Sequence, residues 1–177
     1  AIFDRVSIDS SEGTLDLSEV TIGLLRVRPE SDLTCHLEDA TVSEGRLDQP
    51  MDTVARYDLT DATIEDVDLD CEPDTFDRYR FYRTRFDGFP FASYRAVFRV
   101  NRWRLHEYVG ISAEANSTEG LEHTYLEAKQ GASGTGDSET ASRFFVRELR
   151  YRRRRYAAQV RAAEHSLAHR VDGALRW

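Results

Sequence analysis

Residues Tyr57 to Cys71 read as three consecutive five-residue units, YDLTD, ATIED and VDLDC, with an apolar residue third in each: Leu59, Ile64 and Leu69. A small or apolar residue usually stands two places earlier, and the other places are polar or acidic. An α-helix needs apolar residues every three or four positions and a half-buried strand every second, so a period of five fits neither. It fits a coil of short straight segments stacked into a solenoid. The third residue of each unit then points inward, and each coil hydrogen-bonds to the coils on either side.

The same phase runs through most of the first half. CHLED, ATVSE, GRLDQ (Leu37, Val42, Leu47) is a second trio, and LDLSE, VTIGL, LRVRP (Leu17, Ile22, Val27) is a third, joined by one poor unit centred on Asp32. The opening AIFDR, VSIDS (Phe3, Ile8) keeps the spacing. The register slips at Ser11 to Thr14, Gln49 to Ala55 and Glu72 to Thr75, where Gly, Pro, Ser and Asp predict loops at coil corners. The fives then resume with Phe76, Phe81, Phe86 and Phe91 inward, giving larger cores towards the end. A β-sandwich would show alternation by two and hairpin dipeptides such as Asn-Gly, and neither is evident.

These units resemble the pentapeptide-repeat family, whose A(D/N)LXX pattern builds a right-handed, four-sided β-helix. The resemblance implies a mainly β solenoid, a right-handed quadrilateral β-helix over residues 1–92, followed over residues 93–177 by a capping helix and an α-helical hairpin. The expected repeat core is Leu17, Ile22, Leu37, Val42, Leu47, Leu59, Ile64, Leu69, Phe76, Phe81 and Phe86.

The second half changes period. FASYRAVFRV places Phe91, Tyr94, Val97 and Phe98 at helical spacing, a stripe suited to covering the open edge of the last coil. STEGLEHTYLEAKQ predicts a helix capped by Ser117 or Thr118, with Leu121, Tyr125 and Ala128 on one face. GASGTGD predicts the turn, with Asp137 or Ser138 capping a long helix from about Glu139 towards Trp177. Ala141, Phe144, Phe145, Leu149 and Tyr156 form its expected apolar face. The pair resembles a single tetratricopeptide-like unit without that family's full pattern, and one such unit needs a surface to pack on.

In its order of parts, through FDGFPFASYR, NRWRLHEY, LEHTYLEAKQ and GDSETASRFFVRELRYRRRR, the chain also resembles archaeal membrane proteins in which a pentapeptide-repeat region and a helical hairpin precede a two-helix potassium-channel pore. No pore helices and no TVGYG-like filter are present in this sequence. The resemblance therefore implies a cytoplasmic, non-conducting regulatory domain of a membrane-anchored ion channel. Its implied partners are the pore region or other subunits, as a homo-oligomer. The alternative is a free-standing acidic binding protein that imitates DNA towards a topoisomerase-like partner.

Charge is divided unevenly. Residues 1–75 carry 20 acidic and 5 basic side chains, and residues 76–177 carry 12 and 19. Of the basic residues only Lys129 is lysine, which with the acidic excess suggests a salt-loving source. Arg150, Arg152, Arg153, Arg154 and Arg155, with Arg147 and Arg161, surround a helix instead of forming one stripe. They suit salt bridges to Asp and Glu, the nearest acidic surface being the solenoid, or contact with an anionic membrane surface or a partner. Nucleic acid is disfavoured, since no groove-reading motif or aromatic platform accompanies them.

No apolar run approaches the roughly 20 residues that span a bilayer, so the chain reads as soluble in itself. Residue 1 already begins a repeat unit and GALRW stops within a helical pattern, so it reads as a segment of a longer protein. The continuation, Ala157, Val160, Ala163, Leu167, Val171 and Leu175 with Trp177, is amphipathic enough to lie near a membrane interface.

No catalytic, cofactor or metal site is expected. His106 reads as structural, and His165 and His169 in HSLAH lack the glutamate of HExxH. Adjacent Cys35 and His36 would point to opposite faces, and both Cys35 and Cys71 suit buried thiols. The acidic excess predicts a melting temperature that rises from low to multimolar potassium chloride, as repulsion among carboxylates is screened. A temperature that is flat or falls contradicts a saline adaptation.

Overall fold

The computed structural model describes residues 1–9, 12–50, 52–106, 108–109 and 116–174, without the side chains of 164–174. Nine strands make the first part: β1 (Ile2–Asp9), β2 (Gly13–Asp16), β3 (Thr21–Arg28), β4 (Leu33–His36), β5 (Thr41–Leu47), β6 (Ala55–Asp58), β7 (Thr63–Leu69), β8 (Tyr79–Arg80) and β9 (Arg85–Phe86). The odd strands form one parallel sheet and the even strands another. Each coil thus gives one strand to each sheet, and the whole is a parallel β-solenoid of about four turns followed by helices.

Register follows the five-residue phase. Phe3, Ile22, Val42, Ile64 and Phe86 align in one column, and Leu15, Cys35, Tyr57 and Tyr79 in another. From Ile22 to Val42 the advance is 20 residues, a whole number of units; from Val42 to Ile64 and from Ile64 to Phe86 it is 22. The surplus leaves the ladder after Leu47 and again after Leu69, where loops were expected. Tyrosines bond the carbonyls there: Tyr57 Oη donates to Asp48 O at 2.5 Å, and Tyr79 Oη lies 3.0 Å from Asp70 O and 3.0 Å from Leu47 O, which also accepts from Asp70 N.

Ile22, Leu37, Val42, Leu47, Leu59, Ile64, Leu69, Phe76, Phe81 and Phe86 are buried, and Leu17, in the first coil, is partly buried. Two local readings need correction. Gly13 and Thr14 already belong to β2, not to a loop. In the poor unit the inward residue is Leu33, while Asp32 stays outside and its carboxylate accepts from Val54 N at 2.8 Å. Glu19, Asp39, Asp61 and Arg83 occupy one corner in successive coils with φ of 57° to 58°. Aspartate tolerates this left-handed backbone better than most residues, which suits Asp39 and Asp61. The small residues that follow, Val20, Ala40, Ala62 and Thr84, turn inward, all but Val20 fully buried.

The last coil is closed by more than the one expected helix. Phe91–Tyr94 forms a 3₁₀ turn leading into the short α1 (Arg95–Val100), and Tyr94 Oη accepts from Leu69 N at 2.7 Å. Helix α2 (Thr118–Gly134) crosses the rest of the edge: Thr124 Oγ1 accepts from Arg83 N at 2.9 Å. The approach is close enough to require glycine, because a Cβ on Gly131 would lie 2.5 Å from Phe86 O and one on Gly120 1.8 Å from Tyr82 Oη. Aromatic contacts continue from coil to helices through Tyr57–Tyr79, Tyr79–Phe81, Phe81–Phe86, Phe86–Phe91 and Phe91–Phe144, at centroid distances of 5.0 to 6.3 Å.

Ile64 is 0 % exposed, stacked between Val42 and Phe86 in its column. Ile64→Asp buries an unpaired charge costing several kcal/mol, comparable with a domain's total stability of about 5–15 kcal/mol, and should abolish cooperative folding. Glu65→Lys, one place on and partly exposed, should leave the thermal melt nearly unchanged. A soluble, cooperatively melting Ile64→Asp protein contradicts the register.

Candidate interaction surface

Helices α2 and α3 (Ser138–Ala174) form the antiparallel hairpin. Ser117 caps α2, its Oγ accepting from Gly120 N at 2.9 Å. The GASG stretch, expected in the turn, continues α2 instead, and the chain reverses at Thr135–Asp137 with Gly136 at φ +77°. Asp137 caps α3 by accepting from Thr140 N at 3.1 Å and pairs with Arg95 of α1 at 2.6 Å, tying cap to hairpin. The buried face of α3 is Ala141, Phe144, Glu148 and Tyr151. Phe145 and Tyr156, expected inward, are 44 % and 54 % exposed, and Leu149 is only partly buried. A glutamate at an inner position hid the true stripe.

That glutamate is compensated. Glu148, 1 % exposed, binds Lys129 Nζ at 2.7 Å and also Arg152. Glu122 of α2 takes Arg152 Nε at 3.0 Å and Arg155 Nε at 2.7 Å. The arginine run therefore divides: Arg152 and Arg155 close the hairpin, while Arg150, Arg153 and Arg154 are exposed. Arg154 lies over the Tyr151 ring at 5.2 Å. Val146, Leu149, Arg150 and Arg153 line a hollow of about 450 Å³ on the side of α3 opposite Phe144. Salt bridges were expected with the acidic solenoid; those of Arg152 and Arg155 instead go to Glu122 of α2 and Glu148 of α3, partners that helical spacing within α3 cannot reveal.

His106 is structural. Its Nδ1 lies 2.8 Å from Tyr125 Oη and its Nε2 3.3 Å from Tyr151 Oη, and it meets that stacked pair of rings edge-on. The side chains of His165, His169, Leu167 and Val171 lie outside the described residues, as do Leu175 and Trp177; Ala157, Val160 and Ala163 are exposed. No helix among the described residues is long and apolar enough to cross a membrane.

One group of described residues, His36, Glu38 and Asp58, gathers potential metal-ligand atoms within 4.8 Å of one another, a cluster that sequence spacing did not single out. Its atoms already have partners. Asp58 Oδ2 meets Arg80 Nη1 at 3.0 Å, and Oδ1 accepts from Thr60 Oγ1 and N at 2.6 and 3.0 Å. Glu38 meets His36 Nδ1 at 3.0 Å and Ser18 Oγ at 3.1 Å. The guanidinium on Asp58 opposes a second cation there. The group is better described as part of one column in register from coil to coil, Asp16, His36, Asp58 and Arg80, in which Asp58 and Arg80 form an ion pair. Cys35 lies inside, its thiol pushed up to about 12 by burial and then by Glu38 and Asp16.

Compared with protein-family models, curated proteins and solved structures, the chain finds no match among any of the three.

The hairpin's ion pairs carry a pH signature. Burial raises the Glu122 carboxyl, but hydrogen bonds from Arg155 and Arg152 outweigh it and hold the group below its ordinary range. Asp137 is likewise raised by burial and lowered further by Arg95 and Thr140. Both folded pKa values lie below the unfolded ones, so their stabilisation is complete above the ordinary carboxylate range and is lost as pH falls through the folded values. Melting temperature should drop below about pH 4, with a shallower drop in Glu122→Gln and Asp137→Asn. An acid limb unchanged in both variants contradicts the assignment.

Proposed function

We propose that this chain is a non-catalytic interaction domain: a right-handed, four-sided β-helix of pentapeptide repeats serving as a rigid platform for a helical hairpin that contacts protein partners. In the resemblance drawn from its order of parts, it is the cytoplasmic regulatory region of a membrane ion channel. The 20-residue advance, four five-residue units per coil, supports the four-sided form. A Cys35 thiol held at about 12 inside the coil is a poor nucleophile, which supports a non-catalytic reading.

The observation that carries the reading is the reach of α3. Its last contact with α2 given by an ion pair is Arg155 to Glu122, yet the helix continues to Ala174, and residues 156–163 are all exposed. At 1.5 Å per residue the helix extends roughly 28 Å past Arg155, and this arm gains little helical stability without another surface. Arg150, Arg153 and Arg154 remain available beside it. An apolar floor between Arg150 and Arg153 suits a protein side chain better than a layer of lipid headgroups.

A DNA-mimic reading has weaker support. A duplex is uniformly anionic, whereas Asp58 and Asp61 are matched by Arg80 and Arg83, and Arg26 and Arg46 share a column. Membrane fractionation of the full-length gene product tests the channel reading. It should sediment with membranes and resist extraction by high salt. Recovery wholly in the soluble fraction contradicts it.

A further inference from the structure

We propose that this chain forms a two-fold dimer through its first coil, β1 of one copy pairing antiparallel with β1 of another. The contact lies at the end of the solenoid away from the hairpin and is independent of it. Among the described residues β1 is bonded only to β3 in its sheet and β2 only to β4, so the first coil keeps one open edge. Phe3 is 43 % exposed and Val6 and Ile8 are only partly buried, whereas Ile22, Leu25 and Val27, one coil on in the same columns, are at most 1 % exposed. The apolar interior therefore reaches the surface at this end.

The backbone of that edge has a defined pattern. In later coils the amides that reach back to the preceding coil include Thr63 N, bonded to Ala40 O, and Asp70 N, bonded to Leu47 O. Their counterparts in register are Ile2 and Asp9 of β1. Backbone groups of a strand face one neighbour at every second residue, yet Thr63 and Asp70 stand an odd number of places apart, so the alternation reverses once between them. It does so at the bend after Phe3, where the inward Phe3 and Val6 are three places apart and Asp4 drops out of the ladder to β3. The outward-directed backbone groups of β1 are therefore those of Ile2, Asp4, Arg5, Ser7 and Asp9.

One register of antiparallel self-pairing satisfies this pattern, with the two-fold axis at the bend between Asp4 and Arg5. It sets the outward Ile2 against Ser7 of the other copy, Asp4 against Arg5, and the inward Phe3 against Val6. Any other axis loses the match on one side of the bend. The side chains agree with the backbone. Asp4 and Arg5 are exposed, and no ion pair among the described residues uses either. Opposite charges facing each other across antiparallel strands are favourable and like charges are not. Two Asp–Arg pairs form across the axis, and Phe3 and Val6 cover one another. That self-complementarity selects a second copy of this strand over an unrelated one, and an isologous contact of this kind closes at two copies.

Sedimentation velocity of the chain over a wide concentration range, at the lowest salt that gives a cooperative melt, tests this. The wild type should pass from monomer to dimer and no further. Asp4→Arg and Arg5→Asp should each weaken the dimer roughly tenfold or more by setting like charges across the axis. Mixing those two proteins should restore it, because every facing pair is then Arg with Asp. Ser7→Pro removes an outward N–H without touching the ladder to β3, and should weaken the dimer too. A cooperative melt of each variant confirms its fold. A wild type monomeric throughout, growth beyond dimers, charge variants that associate as the wild type does, or a folded mixture that fails to associate overturns the proposal. So does association abolished by Arg150→Glu with Arg153→Glu, which places the contact on the hairpin. A full-length product that sediments with membranes while the chain stays monomeric would remove this contact and leave the channel reading standing.

Discussion

A stack of coils hydrogen-bonds only along its own axis, so its final coil always presents a row of N–H and C=O groups with no further coil to meet them. Unpaired backbone groups are costly when buried and invite pairing with other chains when exposed. Much of the second half of this chain answers that constraint. Leu69 N is taken by Tyr94 and Arg83 N by Thr124, while Gly120 and Gly131 let α2 lie directly on the coil. The phenylalanines that thicken the core towards this end form the material between coil and helices, ending on Phe144 of α3.

Electrostatics follows the same geometry. Stacking brings equivalent positions of successive coils close together, so a column of like charges is unfavourable unless counter-charges interrupt it. Arg80 and Arg83, in the last coil, do so for Asp58 and Asp61. The acidic excess is therefore less uniform on the surface than its distribution along the sequence suggests. In the hairpin the buried Glu148 is tolerable because Lys129 and Arg152 converge on it from two helices.

The five-residue phase made the solenoid legible because the interior admits only certain positions, and Leu37, Leu59 and Ile64 occupy them wherever the phase is clean. It failed at Asp32, where a strand began one residue later with Leu33. It also gave no hint that Tyr57 and Tyr79 bond the carbonyls of Asp48 and Asp70 beside the surplus residues of the 22-residue coils, since that role depends on how the loops fold back. A repeated signal was overlooked: Glu19-Val20-Thr21, Asp39-Ala40-Thr41 and Asp61-Ala62-Thr63 mark the left-handed corner. In α3 the apolar pattern misled, because Glu148 faces inward and Phe145 outward. Surface hollows such as that at Val146 emerge only once α2 fixes which side of α3 is inner.

The central claim is that coils and hairpin form one cooperative structure, each protecting the other's edge. Native-state hydrogen exchange tests it most directly, by comparing the opening of α2 with that of β7 and β9 under mildly destabilising conditions. The account predicts that amides of residues 120–132 and those of Thr63–Leu69 and Arg85–Phe86 lose protection together, with one denaturant dependence. Exchange of the whole of α2 in a separate, less stable step, with β7 and β9 still fully protected, would contradict it.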